Sequence, residues 1–204
     1  NLPGPPPLTV ADPVGVITTA ETTAQGWLDK MIAEITGTQT RVVGGAPISW
    51  PTISDALWVS LRIIGINPTT RANWTGANSS VGRVLANLRT LRGGVGAATI
   101  RYTCQGPQTG TIGACTGNIC RGGNVVVTCP GAQRIDMCDP FWRNSSAADQ
   151  AARMVHENAH RVLRIQTHGG RRFNPECFAR MVQFYAGVTP TRPDLCPAVA
   201  EETP

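Results

Sequence analysis

The chain has 204 residues, of which 15% are charged and 41% apolar. That length suits one domain, and the composition excludes a disordered polyelectrolyte. The net charge of +5 comes from 17 scattered Arg against a single Lys30, and aromatics are only 5%, so neither a basic run nor a base-stacking surface points to nucleic acid. No apolar run approaches the ~18–20 residues of a membrane span. The opening Asn-Leu-Pro-Gly-Pro-Pro-Pro lacks the basic and apolar regions of a signal peptide. Without an initiator Met, the chain reads as a processed or trimmed product.

Residues 1–13 read as a Pro-rich extended lead-in. Over 15–35, Ile17, Ala20, Ala24, Trp27, Leu28, Met31 and Ile32 recur at helical spacing. Residues 38–51 hold a Gly-Gly and two prolines and predict a connection, with a short strand at 41–43. Ser54 caps a second helix that Gly65 ends, and Ser79 or Ser80 starts a third that Gly93-Gly94 stops. The β-rich runs 98–104, 124–129 and 134–138 predict strands, the first two joined by a long Gly/Thr/Cys loop over 105–123. Asp139-Pro140 punctuates the end of the third strand. Ser145 or Ser146 caps a long helix over about 147–165, and Asn174-Pro175-Glu176 opens a last one reaching about residue 186. The pattern is α+β: helices, a small sheet, then helices. A single domain over 14–187 is expected, followed by a Pro-rich tail over 188–204.

All seven cysteines, Cys104, Cys115, Cys120, Cys129, Cys138, Cys177 and Cys196, fall in the second half, without the paired CxxC knuckles of a zinc ribbon. They read as disulfides made in an oxidising compartment, with one thiol left over from the odd count. Cys129 with Cys138, and Cys177 with Cys196, are the closures that local spacing suggests. Asn73-Trp-Thr, Asn78-Ser-Ser and Asn144-Ser-Ser are glycosylation sequons, of use only in a eukaryotic host.

The long helix carries His156-Glu157-Asn158-Ala159-His160. A spacing of four sets both imidazoles on one face, a turn apart, where two nitrogens can reach one Zn²⁺. Glu157 stands beside them, placed to take a proton from a zinc-bound water and pass it to a leaving amine. With only three His and six Glu in the chain, this pattern arises by chance in about one such chain in a thousand. Ala148, Ala151, Ala152, Val155, Ala159, Val162 and Leu163 form an apolar stripe that can pack on the sheet. Asp149, Arg153, His156, His160 and Arg164 form a polar one, so the histidines are expected to face a cleft or solvent. Arg153 and Arg161 are unusual neighbours for such a motif. A catalytic zinc takes three protein ligands. Gln166 stands where the longer metzincin motif has its third His, which excludes that class. His168 is the first candidate for the third ligand, because Gly169-Gly170 lets the chain fold back; Glu176 is the second, and Asp194 an outsider.

The stretch Ile135-Asp136-Met137-Cys138-Asp139-Pro140-Phe141-Trp142, followed by Met154-Val155-His156-Glu157-Asn158-Ala159-His160, resembles the deuterolysin-type peptidases, especially their peptidyl-Lys metalloendopeptidase branch. Asn174-Pro175-Glu176-Cys177-Phe178 resembles that family's Asn-Ala-Asp-x-Tyr helix start. The likeness spans about residues 98–187. It implies a zincin-like fold, one catalytic zinc held by His156 and His160, Glu157 as general base, and endopeptidase activity. The family's Gly-Thr-x-Asp-x-x-Tyr-Gly, with its Asp ligand and assisting Tyr, has no counterpart here; His168 stands almost where the Asp would fall. Arg171, Arg172 and Tyr185 are then the candidates for stabilising the transition state. The expectation is a secreted zinc endopeptidase acting on peptide or protein, with neither nucleic acid nor membrane as partner. The alternative is a zincin-fold metal-binding or toxin-like module without proteolytic activity.

Overall fold

The computed structural model describes residues 10–48, 52–76, 78–104, 110–112, 115–117, 126–166, 171, 174–189 and 196. Helix α1 runs Pro13–Val43, started by Pro13 and by the Asp12 carboxylate, which accepts from the Gly15 N–H at 2.8 Å. Its buried stripe, Ile17, Ala20, Ala24, Trp27, Leu28, Met31, Ile35, Thr38 and Val42, keeps the three-and-four spacing to the end. The expected strand at 41–43 is therefore the last turn of this helix. Thr36 and Thr40 return their hydroxyls to the carbonyls of Ile32 and Thr36, and Arg41 donates to the Thr52 carbonyl at 2.8 Å. Packing of Val42 and these bonds outweigh the β preference of a Val-Val pair.

Helix α2 is Asp55–Ile63, with Ser54 accepting from the Leu57 N–H at 3.2 Å, and α3 is Ser80–Gly94, with Ser79 accepting from Gly82 at 3.0 Å. The glycines expected to stop α3 lie inside its last turn. A Cβ on Gly94 would stand 2.9 Å from Val162 Cγ1 and 3.2 Å from both Arg161 Nη2 and Asn158 Oδ1. Glycine here permits a close approach between helices rather than a turn. Trp27 and Trp74 are buried, and the Trp74 indole donates to the Pro68 carbonyl at 2.9 Å.

Strands β1 (Arg101–Cys104), β4 (Val126–Thr128) and β5 (Arg134–Met137) form one sheet in the order β1-β5-β4; β1 is parallel to β5 and β4 antiparallel to it. The region expected as a long loop contains a hairpin of β2 (Gly110–Ile112) and β3 (Cys115–Gly117). Asp139-Pro140 opens a short helix α4, Asp139–Arg143, since a proline in the first turn starts a helix as readily as it ends a strand. Helix α5 is Ala147–Leu163 and α6 is Pro175–Tyr185. α5 packs against α1, α3 and α6 and against β4, so the stripe expected to rest on the sheet rests largely on other helices. One apolar core runs from Ile17 to Cys196.

Cys177 is bonded to Cys196, the closure that spacing suggested. Cys129 and Cys138 are also disulfide-bonded, but not to each other. The register sets Val126 opposite Met137 and Thr128 opposite Ile135, which leaves Cys129 and Cys138 at opposite ends of the hairpin. Four residues of strand, roughly 13 Å, separate them, against a Cα reach of ~7 Å for a disulfide.

The chain's two tyrosines both hold the second half to α1. Tyr102 on β1 donates to Glu21, and Tyr185 on α6 donates to Glu34 at 2.6 Å. Burial and the neighbouring carboxylate push both phenols above the usual tyrosine range. No helix among the described residues is long and apolar enough to cross a membrane.

Candidate functional site

Helix α5 begins at a capping box. Ser146 accepts from the Asp149 N–H at 3.1 Å, and Asp149 accepts from the Ser146 N–H at 3.4 Å. Two turns later His156 and His160 share one face, their ring centroids 5.0 Å apart. Both are buried, at 6% and 8% exposure, rather than facing a cleft or solvent. The sequence pattern had grouped them with the charged residues; here the two histidines are buried on a helix that packs against α6 and β4, while Arg164 of the same stripe is exposed.

The two imidazoles differ at Nδ1. His160 Nδ1 donates to the Ile165 carbonyl at 2.5 Å. This bond depends on how the helix ends: Arg164 takes the left-handed conformation, with φ of 56°. That turn swings Ile165 back under the last turn of α5. His156 Nδ1 lies 3.0 Å from the Glu176 carboxylate. For His160 the carbonyl acceptor favours the tautomer with the proton on Nδ1 and the lone pair on Nε2, the usual arrangement of histidines that bind zinc through Nε2.

The Glu157 carboxylate lies 3.9 Å from His156 Nε2 and is fully enclosed. Burial pushes its pKa well above the ordinary value, and the Glu176 charge adds to this. Arg153 and a hydrogen bond from the Thr128 backbone N–H act the other way. That bond brings the end of β4 against α5.

The two arginines that flank the motif have assigned partners. Arg153 donates to Glu176 at 3.1 Å. Arg161 turns to the opposite side of α5, where it donates to Asn158 Oδ1 from Nε and Nη2 at 3.0 and 2.9 Å and to the Gly94 carbonyl at 2.6 Å. Neither guanidinium is aimed at the histidine pair as a stray charge.

Glu176 is brought to the site, but onto Nδ1 of His156. Among the described residues no group of three or more His, Cys, Asp or Glu is arranged to hold a metal. His168, Arg172 and Asp194 lie outside the described residues. Arg171 runs its stem beside Gly65, past the end of α2. Tyr185 is nine residues beyond Glu176 on α6, about 14 Å along the axis, and its hydroxyl is engaged with Glu34 and the Lys30 carbonyl. It is not gathered into the site. The Ile165 carbonyl and the Thr128 N–H were missed by sequence reasoning, because a backbone group leaves no residue signature.

No protein-family model matches the chain, and comparison with curated proteins and with solved structures gives no match.

Proposed function

We propose that the chain is a secreted zinc endopeptidase with a zincin-like fold, in which His156, His160 and His168 hold one catalytic zinc and Glu157 is the general base. The observation that carries this reading is the pair of Nδ1 contacts, to the Ile165 carbonyl and the Glu176 carboxylate. Two imidazoles a turn apart, that of His160 set with its Nε2 lone pair available, with a carboxylate between them, fit the donor set of a zinc site. When bound, zinc supplies a Lewis acid for the scissile carbonyl and makes the attacking water more acidic.

Glu157 then takes the proton of the attacking water and returns it to the leaving amine nitrogen. Its enclosure raises its proton affinity toward that of a group able to do both. An extended peptide adds along β4, at the end of the sheet among the described residues, through main-chain hydrogen bonds. Arg171 and Arg172 remain the candidates for meeting the developing oxyanion, with Tyr185 engaged elsewhere. The disulfides support an oxidising, extracellular setting.

A metal-binding module without turnover is the second reading, favoured by the engagement of both tyrosines with α1. Elemental analysis and cleavage of a denatured protein, with and without chelator, separate the two. One zinc per chain with chelator-sensitive cleavage supports the peptidase. Zinc without cleavage supports the module, and no bound metal overturns both.

A further inference from the structure

A pocket of about 70 Å³ opens between the end of α2, the first two turns of α3 and α6. Its floor is Ile64, Ile66, Val84 and Phe178, all buried. Packed interiors leave few voids larger than a water. This one is about half the ~150 Å³ that a benzene fills, which is room for one branched alkyl group. Its wall belongs to α3. Ser80, Arg83, Val84 and Asn87 follow the i, i+3, i+4, i+7 spacing of one helix face, so a hydroxyl, a guanidinium and a carboxamide stand around the apolar floor. Among the described residues these three polar side chains have no hydrogen-bond or ion-pair partner. The other arginines of α3 are engaged, Arg89 with the Thr36 hydroxyl and Arg92 with Asp29. No acidic side chain lines the pocket. The Arg171 stem passes Gly65, between the two isoleucines, and the start of a helix favours an anion.

We propose that this pocket binds the C terminus of a peptide ending in a branched aliphatic residue, with the side chain in the apolar pit, the carboxylate on Arg83 and the last peptide group on Asn87. Each part of the pocket answers one part of such a ligand. The pit admits one alkyl group and no more. A guanidinium pairs with a carboxylate through two parallel N–H donors. A carboxamide offers one donor and one acceptor, the complement of a peptide group. Arg83 and Asn87 are one turn apart, about 5–6 Å between Cβ atoms, and their side chains can close on two groups ~3.8 Å apart, the spacing of successive residues. Capture of a terminal carboxylate beside an aliphatic pocket is a recurring mode of peptide recognition. The site is separate from the histidine pair. Phe178 stands two residues past Glu176 on α6, about 200° round the helix, so the pocket lies on the side of α6 away from His156. The proposal does not depend on the zinc reading.

The test uses the full chain and three probes: acetyl-Ala-Leu, its C-terminal amide, and acetyl-Ala-Gly. Methyl NMR signals of Ile64, Ile66 and Val84 report the pocket directly. Acetyl-Ala-Leu should shift them saturably, with a Kd on the order of 1 mM, the range of a ligand with few contacts. The amide and the glycine peptide should each bind at least about tenfold more weakly, one for want of charge and the other for want of a side chain. Arg83→Gln alters an exposed residue and should leave the melting temperature in place. It should weaken acetyl-Ala-Leu about tenfold and bring acid and amide to equal affinity. Asn87→Ala should weaken both. No saturable shift at tens of millimolar overturns the proposal. So does an amide that binds as well as the acid in the wild type, a glycine peptide that binds as well as the leucine one, or an Arg83→Gln variant that keeps the preference for the acid.

Discussion

Helix α5 has two buried polar seams, one toward α6 and one toward α3. Both contain an arginine from the edge of the HExxH motif, and they differ in chemistry. Toward α3, Arg161, Asn158 and the Gly94 carbonyl close a set of hydrogen bonds in which donors meet acceptors that hardly titrate. Toward α6, Arg153 meets Glu176, which meets His156, with Glu157 and His160 adjoining. A closed amide–guanidinium set fixes two helices at a given spacing. A seam of imidazoles and carboxylates costs more to bury and can move protons or hold an ion. Burial of polar groups therefore does not by itself mark a site; the acid–base character of what is buried does.

Glu157→Gln tests the α6 seam most severely. Turnover should fall ~10²–10⁴-fold, as for loss of a general acid–base group, while zinc stays bound and the melting temperature does not drop, because a buried carboxylate is replaced by a neutral amide. Wild-type turnover in this variant would remove Glu157 from the chemistry. The α3 seam should respond in the opposite sense. Arg161→Met should cost about 2–3 kcal/mol in urea unfolding, since bonds from a charged donor contribute roughly 1.5–3 kcal/mol, with zinc affinity unchanged. A large loss of zinc affinity would show the two seams to be one unit.

Gly94→Ala sharpens the same contrast by steric means. The added methyl would press on Val162, Arg161 and Asn158, and overpacking of this kind costs ~1–3 kcal/mol. It should lower the unfolding midpoint without changing zinc affinity. The smallest effect belongs to the two phenols that tie the second half to α1. The fold holds both protonated beyond the usual range, so their contribution is complete below the unfolded tyrosine pKa of ~10. It is lost as pH rises above that value, because the unfolded chain releases the protons first. A pH series of unfolding midpoints should show this decline, and Tyr185→Phe should flatten it.

Much of the local structure could be read from residues whose effect is local. Ser54 and Asn174 cap the helices they were expected to cap, and of the two serines offered at each of two other helix starts Ser79 and Ser146 are the caps, since a side-chain oxygen satisfies a nearby N–H whatever the rest of the chain does. The two histidines fall on one face because a spacing of four on a helix permits nothing else. The β-rich runs became β1, β4 and β5 with trimmed ends.

Tertiary structure decided what depends on partners far along the chain. The last turns of α1 follow the burial of Val42 and the contact with Thr52, 11 residues from Arg41, which local propensity cannot register. At Gly94 the approach of α5 leaves no room for a Cβ, a demand made by residues more than 60 positions away. The same holds at the site. Arg153 and Arg161 look alike in sequence, one on each side of the motif, yet Glu176 and the Gly94 carbonyl, 23 and 67 residues away, give them different tasks. The sequence by itself determined which side chains could do acid–base and metal chemistry, because residue type and helical period are written there. Only the tertiary structure decided which of them are buried and which charge answers which, because those depend on the groups that other elements bring within about 3 Å.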